Sequence, residues 1–143
     1  MKKMLILRGL PGSGKNYYID KYLDDKYEQT NYFQWVHCSA DDYFCAGNVY
    51  LWSSSLLGAA HTRSQEMAKQ ACIKGIELVI INNTNVTFKE MTRYIEIAEN
   101  YDYEVKIIDL YDSGLTDQQL AERNSHNVPI EVIAHMRAKY IRS

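Results

Sequence analysis

The chain has 143 residues, 46% of them apolar and 24% charged, with a net charge of −2. That composition fits one globular domain with a real core. It excludes broad, sequence-independent coating of nucleic acid, which needs a basic surface, though not local capture of one strand end.

Cys38, Cys45 and Cys72 are dispersed and lack zinc spacing. They read as reduced thiols of a cytoplasmic protein. Lys2 and Lys3 precede an apolar tetrad, but Arg8 and a glycine-rich loop end it too early for a signal peptide. No apolar run is long enough to cross a membrane.

Residues 3–8 are expected to form the first strand. Residues 9–15, Gly-Leu-Pro-Gly-Ser-Gly-Lys, follow it and lead into a helix over 15–26. This is the G-x-x-x-x-G-K phosphate loop in its required place between strand and helix. Its glycines let the backbone turn so that N–H groups face phosphate oxygens. Lys15 adds a point charge, and the helix adds its positive N-terminal end. Gly9, Pro11, Gly12, Ser13, Gly14, Lys15 and Asn16 are therefore the expected nucleotide-binding residues. The motif calls for Ser or Thr after the lysine to hold Mg²⁺. This chain has Asn16, a longer and neutral oxygen ligand.

Residues 33–38 read as a second strand, 39–48 as a loop and 53–74 as a helix stopped by Gly75. Residues 76–81 are nearly continuous in apolar residues, as a parallel strand covered on both faces should be. Thr87 and Glu90 form a capping box that opens a helix to about residue 100. A fourth strand covers 103–110. Thr116 and Gln119 form a second capping box, opening a helix through about Arg123. Pro129 is expected at the first position of a last helix.

This alternation implies an α/β fold, a parallel sheet of about four strands flanked by helices. Ligands of such sheets bind beyond the carboxyl ends of the strands. That rule gathers residues 9–16, 39–44 and 82–85 at one edge. Asp41 and Asp42 lie there, and a carboxylate can accept a proton from a substrate hydroxyl. An ordinary acidic turn would read the same way. Residues 82–85, Asn-Asn-Thr-Asn, either form a turn or line the crevice. The twelve tyrosines, several of them between Tyr17 and Tyr32, suit half-buried helix surfaces, with base stacking as the alternative.

Together these segments resemble the P-loop kinases of the polynucleotide-kinase type, most closely the NEDD4-binding-protein-2-like branch. The matching stretches are residues 8–15, Asp41-Asp42-Tyr43-Phe44, Ala60 and His61 with Gln65, Asn83-Thr84-Asn85, and residues 120–124 before Val128 and Pro129. Their spacing agrees nearly end to end. The resemblance implies a three-layer P-loop kinase fold over residues 1–143. It implies ATP or a related nucleotide, with weakly bound Mg²⁺, as cofactors. The acceptor it implies is a single-stranded nucleic-acid 5′ end, a nucleoside or a nucleotide. Lys15 would contact the β- and γ-phosphates. Asp41 would be the general base on a 5′-hydroxyl, with Asp42 beside it as a substrate contact or substitute metal ligand. Arg123 would lie over the adenine or the phosphates. His61 and Asn85 would border the substrate, although a packed or exposed helix face would equally explain His61.

Three positions depart from that pattern. Asn16 replaces the metal-binding hydroxyl. Asn82 and Asn83 stand where the family usually carries an Asp. The lid segment Ser125-His126-Asn127 lacks a second arginine. A nucleotide-binding interaction module without turnover is therefore the rival expectation to a kinase.

Overall fold

The computed structural model describes residues 2–29, 34–40, 45–46, 49–50, 57–124 and 128–140. The central sheet has four parallel strands, β1 (Lys3–Gly9), β2 (Trp35–Cys38), β5 (Leu78–Asn82) and β6 (Glu104–Tyr111), in the order β2-β5-β1-β6. The strongest apolar run becomes β5, buried along its whole length beside β1. Two inner strands covered on both faces need apolar residues at every position, which is how both read.

Alternating side chains of these strands build two cores. Leu5, Leu7, Leu78 and Ile80 face Ile19 and Leu23 of α1 (Lys15–Gln29). Met4, Ile6, Val79 and Ile81 face α2 (Leu57–Ile73) and α3 (Phe88–Asn100), through Ala68, Ala71, Met91, Tyr94 and Ile97. The result is the expected three-layer α/β P-loop architecture. A third cluster, Leu10, Leu120 and Ile133, ties α4 (Asp117–Arg123) and α5 (Ile130–Lys139) to the start of the glycine loop.

Both capping boxes are present. The Glu90 carboxylate accepts from Thr87 N–H at 3.0 Å, and the Gln119 side chain accepts from Thr116 N–H at 2.9 Å. Several boundaries differ from expectation. α1 runs three residues further, to Gln29. The expected loop over 39–48 contains β3 (Cys45–Ala46), paired antiparallel with β4 (Val49–Tyr50). Two-residue strands are too short to leave a periodic signal. Pro129 caps α5 instead of opening it. Among the described residues no helix is long and apolar enough to cross a membrane.

Candidate nucleotide site

The loop after β1 turns through two glycines in the left-handed region, Gly12 (φ 84°) and Gly14 (φ 98°). An L side chain strains that backbone. At Gly12 there is also no room, because a Cβ would lie 2.5 Å from the Leu120 carbonyl oxygen. α4 therefore packs directly on the loop. Gly14 faces open space, and its carbonyl starts α1 by accepting from Tyr18 N–H at 3.0 Å. Lys15 folds back over the loop, its Nζ donating to Gly9 O at 2.7 Å and Leu10 O at 3.3 Å. Gly9 N–H is anchored on Thr84 O at 3.0 Å, and Pro11 is half-buried at the turn. Ser13 is buried; its carbonyl accepts from the Ser113 hydroxyl, and its own Oγ has no partner among the described residues.

A cavity of about 480 Å³ opens beside the loop, bordered by Ser13, Gly14, Tyr17, Tyr18, Ser113 and Arg123. Arg123 reaches it because Leu120, one helical turn earlier, is fully buried against the loop side of α4. The α4–α5 unit is held in turn by Arg137. Its guanidinium donates to Asp112 at 2.5 Å, Asp117 at 2.7 Å and Leu115 O at 2.8 Å. Burial alone would raise the Asp112 carboxyl, but the bonds from Arg137 and Gly114 N–H outweigh it and hold it below the usual range.

Of the three polar segments, the described residues 9–16, 39–40 and 82–85 lie at one sheet edge. Asn83 Oδ1 accepts from Ala40 N–H at 2.8 Å, bringing the end of β2 to the end of β5. Asn82 Nδ2 donates to Asn16 Oδ1 at 2.8 Å and lies 3.0 Å from His37 Nε2. Asp41 and Asp42, the expected base and its neighbour, lie outside the described residues.

Asn85 differs from its expected substrate role. It is 2% exposed, sits at φ 47°, and its amide donates to Leu7 O at 2.7 Å. An Asn tolerates this left-handed turn and serves the main chain there. His61 and Gln65 are half-buried on α2. Between them, Ser64 Oγ accepts from Tyr94 Oη at 2.8 Å, and Tyr94 Oη accepts from Asn83 Nδ2 at 3.3 Å. This chain of bonds fixes Asn83 as a buried spacer between α2, α3 and β2.

The position facing the loop is therefore Asn82. As a site for Mg²⁺ it fits poorly. Mg²⁺ favours carboxylate and water oxygens in near-octahedral array. Here two neutral amides bond each other, and among the described residues no three His, Cys, Asp or Glu side chains cluster.

Sequence reasoning missed Arg8. It is 1% exposed, donates to Asn85 O and Val86 O at 3.0 Å each, and pairs with Asp109 at 3.3 Å. Its guanidinium lies between the Phe88 and Tyr140 rings. The only signal was an arginine beside a phosphate loop, which suggests an anion contact and not a strut. His37 was missed because a lone histidine in a short strand carries no pattern.

Comparison with known proteins agrees with this geometry. NEDD4-binding protein 2 of Homo sapiens is 35% identical over 97% of the chain, which spans 8% of that protein. The 2′,3′-cyclic-nucleotide 3′-phosphodiesterase of Mus musculus is 28% identical over 86% of the chain, which spans 27% of it. Among solved structures, a chain of the Pnkp1/Rnl/Hen1 RNA repair complex superposes with a TM-score of 0.71. It is 19% identical, and the match covers 97% of this chain and 44% of that one. The APS kinase CysC of Mycobacterium tuberculosis gives 0.56 at 12% identity over 94% and 96% of the two chains. These structural likenesses show a shared P-loop kinase fold. A family model described as an AAA domain matches residues 4–142, and with its phosphate loop and parallel sheet in place the chain belongs to that family, AAA_33.

Proposed function

We propose that residues 1–143 act as one P-loop phosphotransferase domain. It binds ATP or a related nucleotide and passes the γ-phosphoryl group to a hydroxyl of a nucleic-acid 5′ end, nucleoside or nucleotide. One observation carries the reading. A glycine loop with Lys15 opens α1 directly beside a 480 Å³ cavity that Arg123 also borders. The positive end of α1 and Lys15 favour the phosphates. The cavity is large enough for a nucleoside, and Tyr17 offers it a ring that is 74% exposed. Asp41 follows β2 and is our candidate base on the acceptor hydroxyl. A 5′-hydroxyl acceptor is supported by the ordered motif set that resembles polynucleotide kinases, and by the shared fold of a chain in the Pnkp1/Rnl/Hen1 RNA repair complex. The buried cysteines Cys38 and Cys72 support a reducing, cytoplasmic setting.

A nucleotide-binding module with little or no turnover is the second reading. The Asn82–Asn16 bond favours it, because it replaces a carboxylate–hydroxyl pair by two neutral amides. Mg²⁺ carried on the nucleotide would gain little from these side chains. The test is a γ-phosphoryl transfer assay with labelled ATP and a 5′-hydroxyl oligonucleotide, run beside an ATP titration. Transfer with binding supports the kinase. Binding without transfer to oligonucleotide, nucleoside or nucleotide leaves the module.

A further inference from the structure

The turn at the end of β6 holds two non-glycine residues in the left-handed region, Tyr111 at φ 51° and Ser113 at φ 52°, beside Gly114 at φ 78°. A bulky aromatic there is an outlier, and such strain persists only where the surroundings over-determine it. Two sets of bonds do so. From outside, the Arg137 guanidinium donates to Asp112, between the two strained residues, and to Leu115 O just beyond them. From inside, the turn grips the phosphate loop at two points. Tyr111 O accepts from Leu10 N–H at 2.8 Å, and the Ser113 hydroxyl donates to Ser13 O.

The Ser113 bond fixes more than a carbonyl. Ser13 O and Gly14 N–H belong to one planar trans peptide, so they point in opposite directions. Gly14 sits at φ 98°, and a Cβ there would meet no atom within 4 Å. Glycine opposes a flip of that peptide less than any other residue. A bond that holds Ser13 O therefore also aims Gly14 N–H. Among the described residues, Arg137 does not line the cavity beside the loop. Its route to the loop runs through Asp112 and Ser113.

We propose that Ser113 and Arg137 are positioning residues of the phosphate site. Ser113 turns the Gly14 amide toward a phosphate oxygen, and Arg137 latches the strained turn that carries Ser113. The ligand they serve is a polyphosphate chain, whatever base follows it. This role rests on the nucleotide reading above.

The test titrates inorganic tripolyphosphate and ATP, at identical salt, into the whole chain and into folded Ser113→Ala, Arg137→Gln and their double variant. Each single variant should weaken both ligands about tenfold. The double variant should bind no more weakly than the weaker single, because both changes release one peptide. Asp112→Asn separates positioning from charge. It removes a negative charge, which by itself favours an anion, yet it should weaken both ligands as Arg137→Gln does. It also replaces Arg137→Gln in the cycle if that variant does not fold. Unchanged affinity in Ser113→Ala or Asp112→Asn, or losses that add in the double variant, would overturn the proposal. So would a lower thermal transition in Arg137→Gln with wild-type affinity, the mark of a brace for α5 alone. Absence of binding in the wild type would remove the phosphate site itself and this role with it, a result distinct from equal affinity in the variants.

Discussion

The side-chain amide of Asn82 donates to the side-chain oxygen of Asn16 across 2.8 Å, joining the end of β5 to the first turn of α1. Both are positions where the phosphate-loop kinase pattern leads one to expect a metal-holding hydroxyl or carboxylate. Asn83 is excluded from the same role, since its amide is spent on Ala40 N–H and Tyr94 Oη. Asn16→Thr combined with Asn82→Asp should therefore raise the Mg²⁺ dependence of nucleotide binding or turnover at least tenfold. Asn83→Asp in place of Asn82→Asp should not. Titration of ATP in Mg²⁺ and EDTA checks both. Brisk Mg²⁺-dependent turnover in the wild type, lowered by Asn16→Thr, would make Asn16 an adapted ligand instead.

Gly12 and Gly14 separate two effects of a side chain in the loop. Gly14→Ala adds only left-handed strain, whereas Gly12→Ala also drives a methyl into the Leu120 carbonyl. Strain of this kind costs about 1–2 kcal/mol, and forced overpacking adds about 1–3 more. Urea denaturation should rank Gly12→Ala as the less stable by that second amount. Equal loss in both variants would mean that α4 does not press on the loop.

The overall architecture was legible because periodicity survives in long elements. The buried runs of β1 and β5, the two capping boxes and the glycine loop each announce themselves. The pairing of β3 with β4 was not legible, since two residues carry no period. Tertiary partners were also hidden. Nothing in the order of residues says that Arg8 serves the main chain at Asn85 and Val86, or that Asn85 turns inward to Leu7. Site geometry that depends on which of several neighbouring amides faces the loop, Asn82 or Asn83, had to come from packing.

Asp112 gives an acid-dependent contribution to stability. Its folded carboxyl is held below its ordinary range by Arg137 and Gly114 N–H, against burial that pushes the other way. The unfolded chain thus binds this proton more readily. The contribution is complete above the unfolded carboxylate range and is lost as pH falls through the folded value. Arg137→Gln should flatten the stability profile on the acid side of the ordinary carboxylate range. A profile unchanged in that variant would dissociate Asp112 from Arg137.

Asp41→Asn tests the proposed base. If the domain is a kinase, turnover should fall about 10²–10⁴-fold, the usual range for general-base catalysis, with nucleotide affinity near wild type. Full activity in single-turnover transfer would remove Asp41 and move the assignment to Asp42.

The claim on which the rest depends is that residues 9–15 hold nucleotide phosphates. Lys15→Ala tests it most directly, in a calorimetric titration of ATP against wild type and variant under identical salt. Affinity should fall at least tenfold, about 1.4 kcal/mol or more, with the thermal transition unchanged or nearly so. Equal affinity in the two proteins would contradict a phosphate site at this loop.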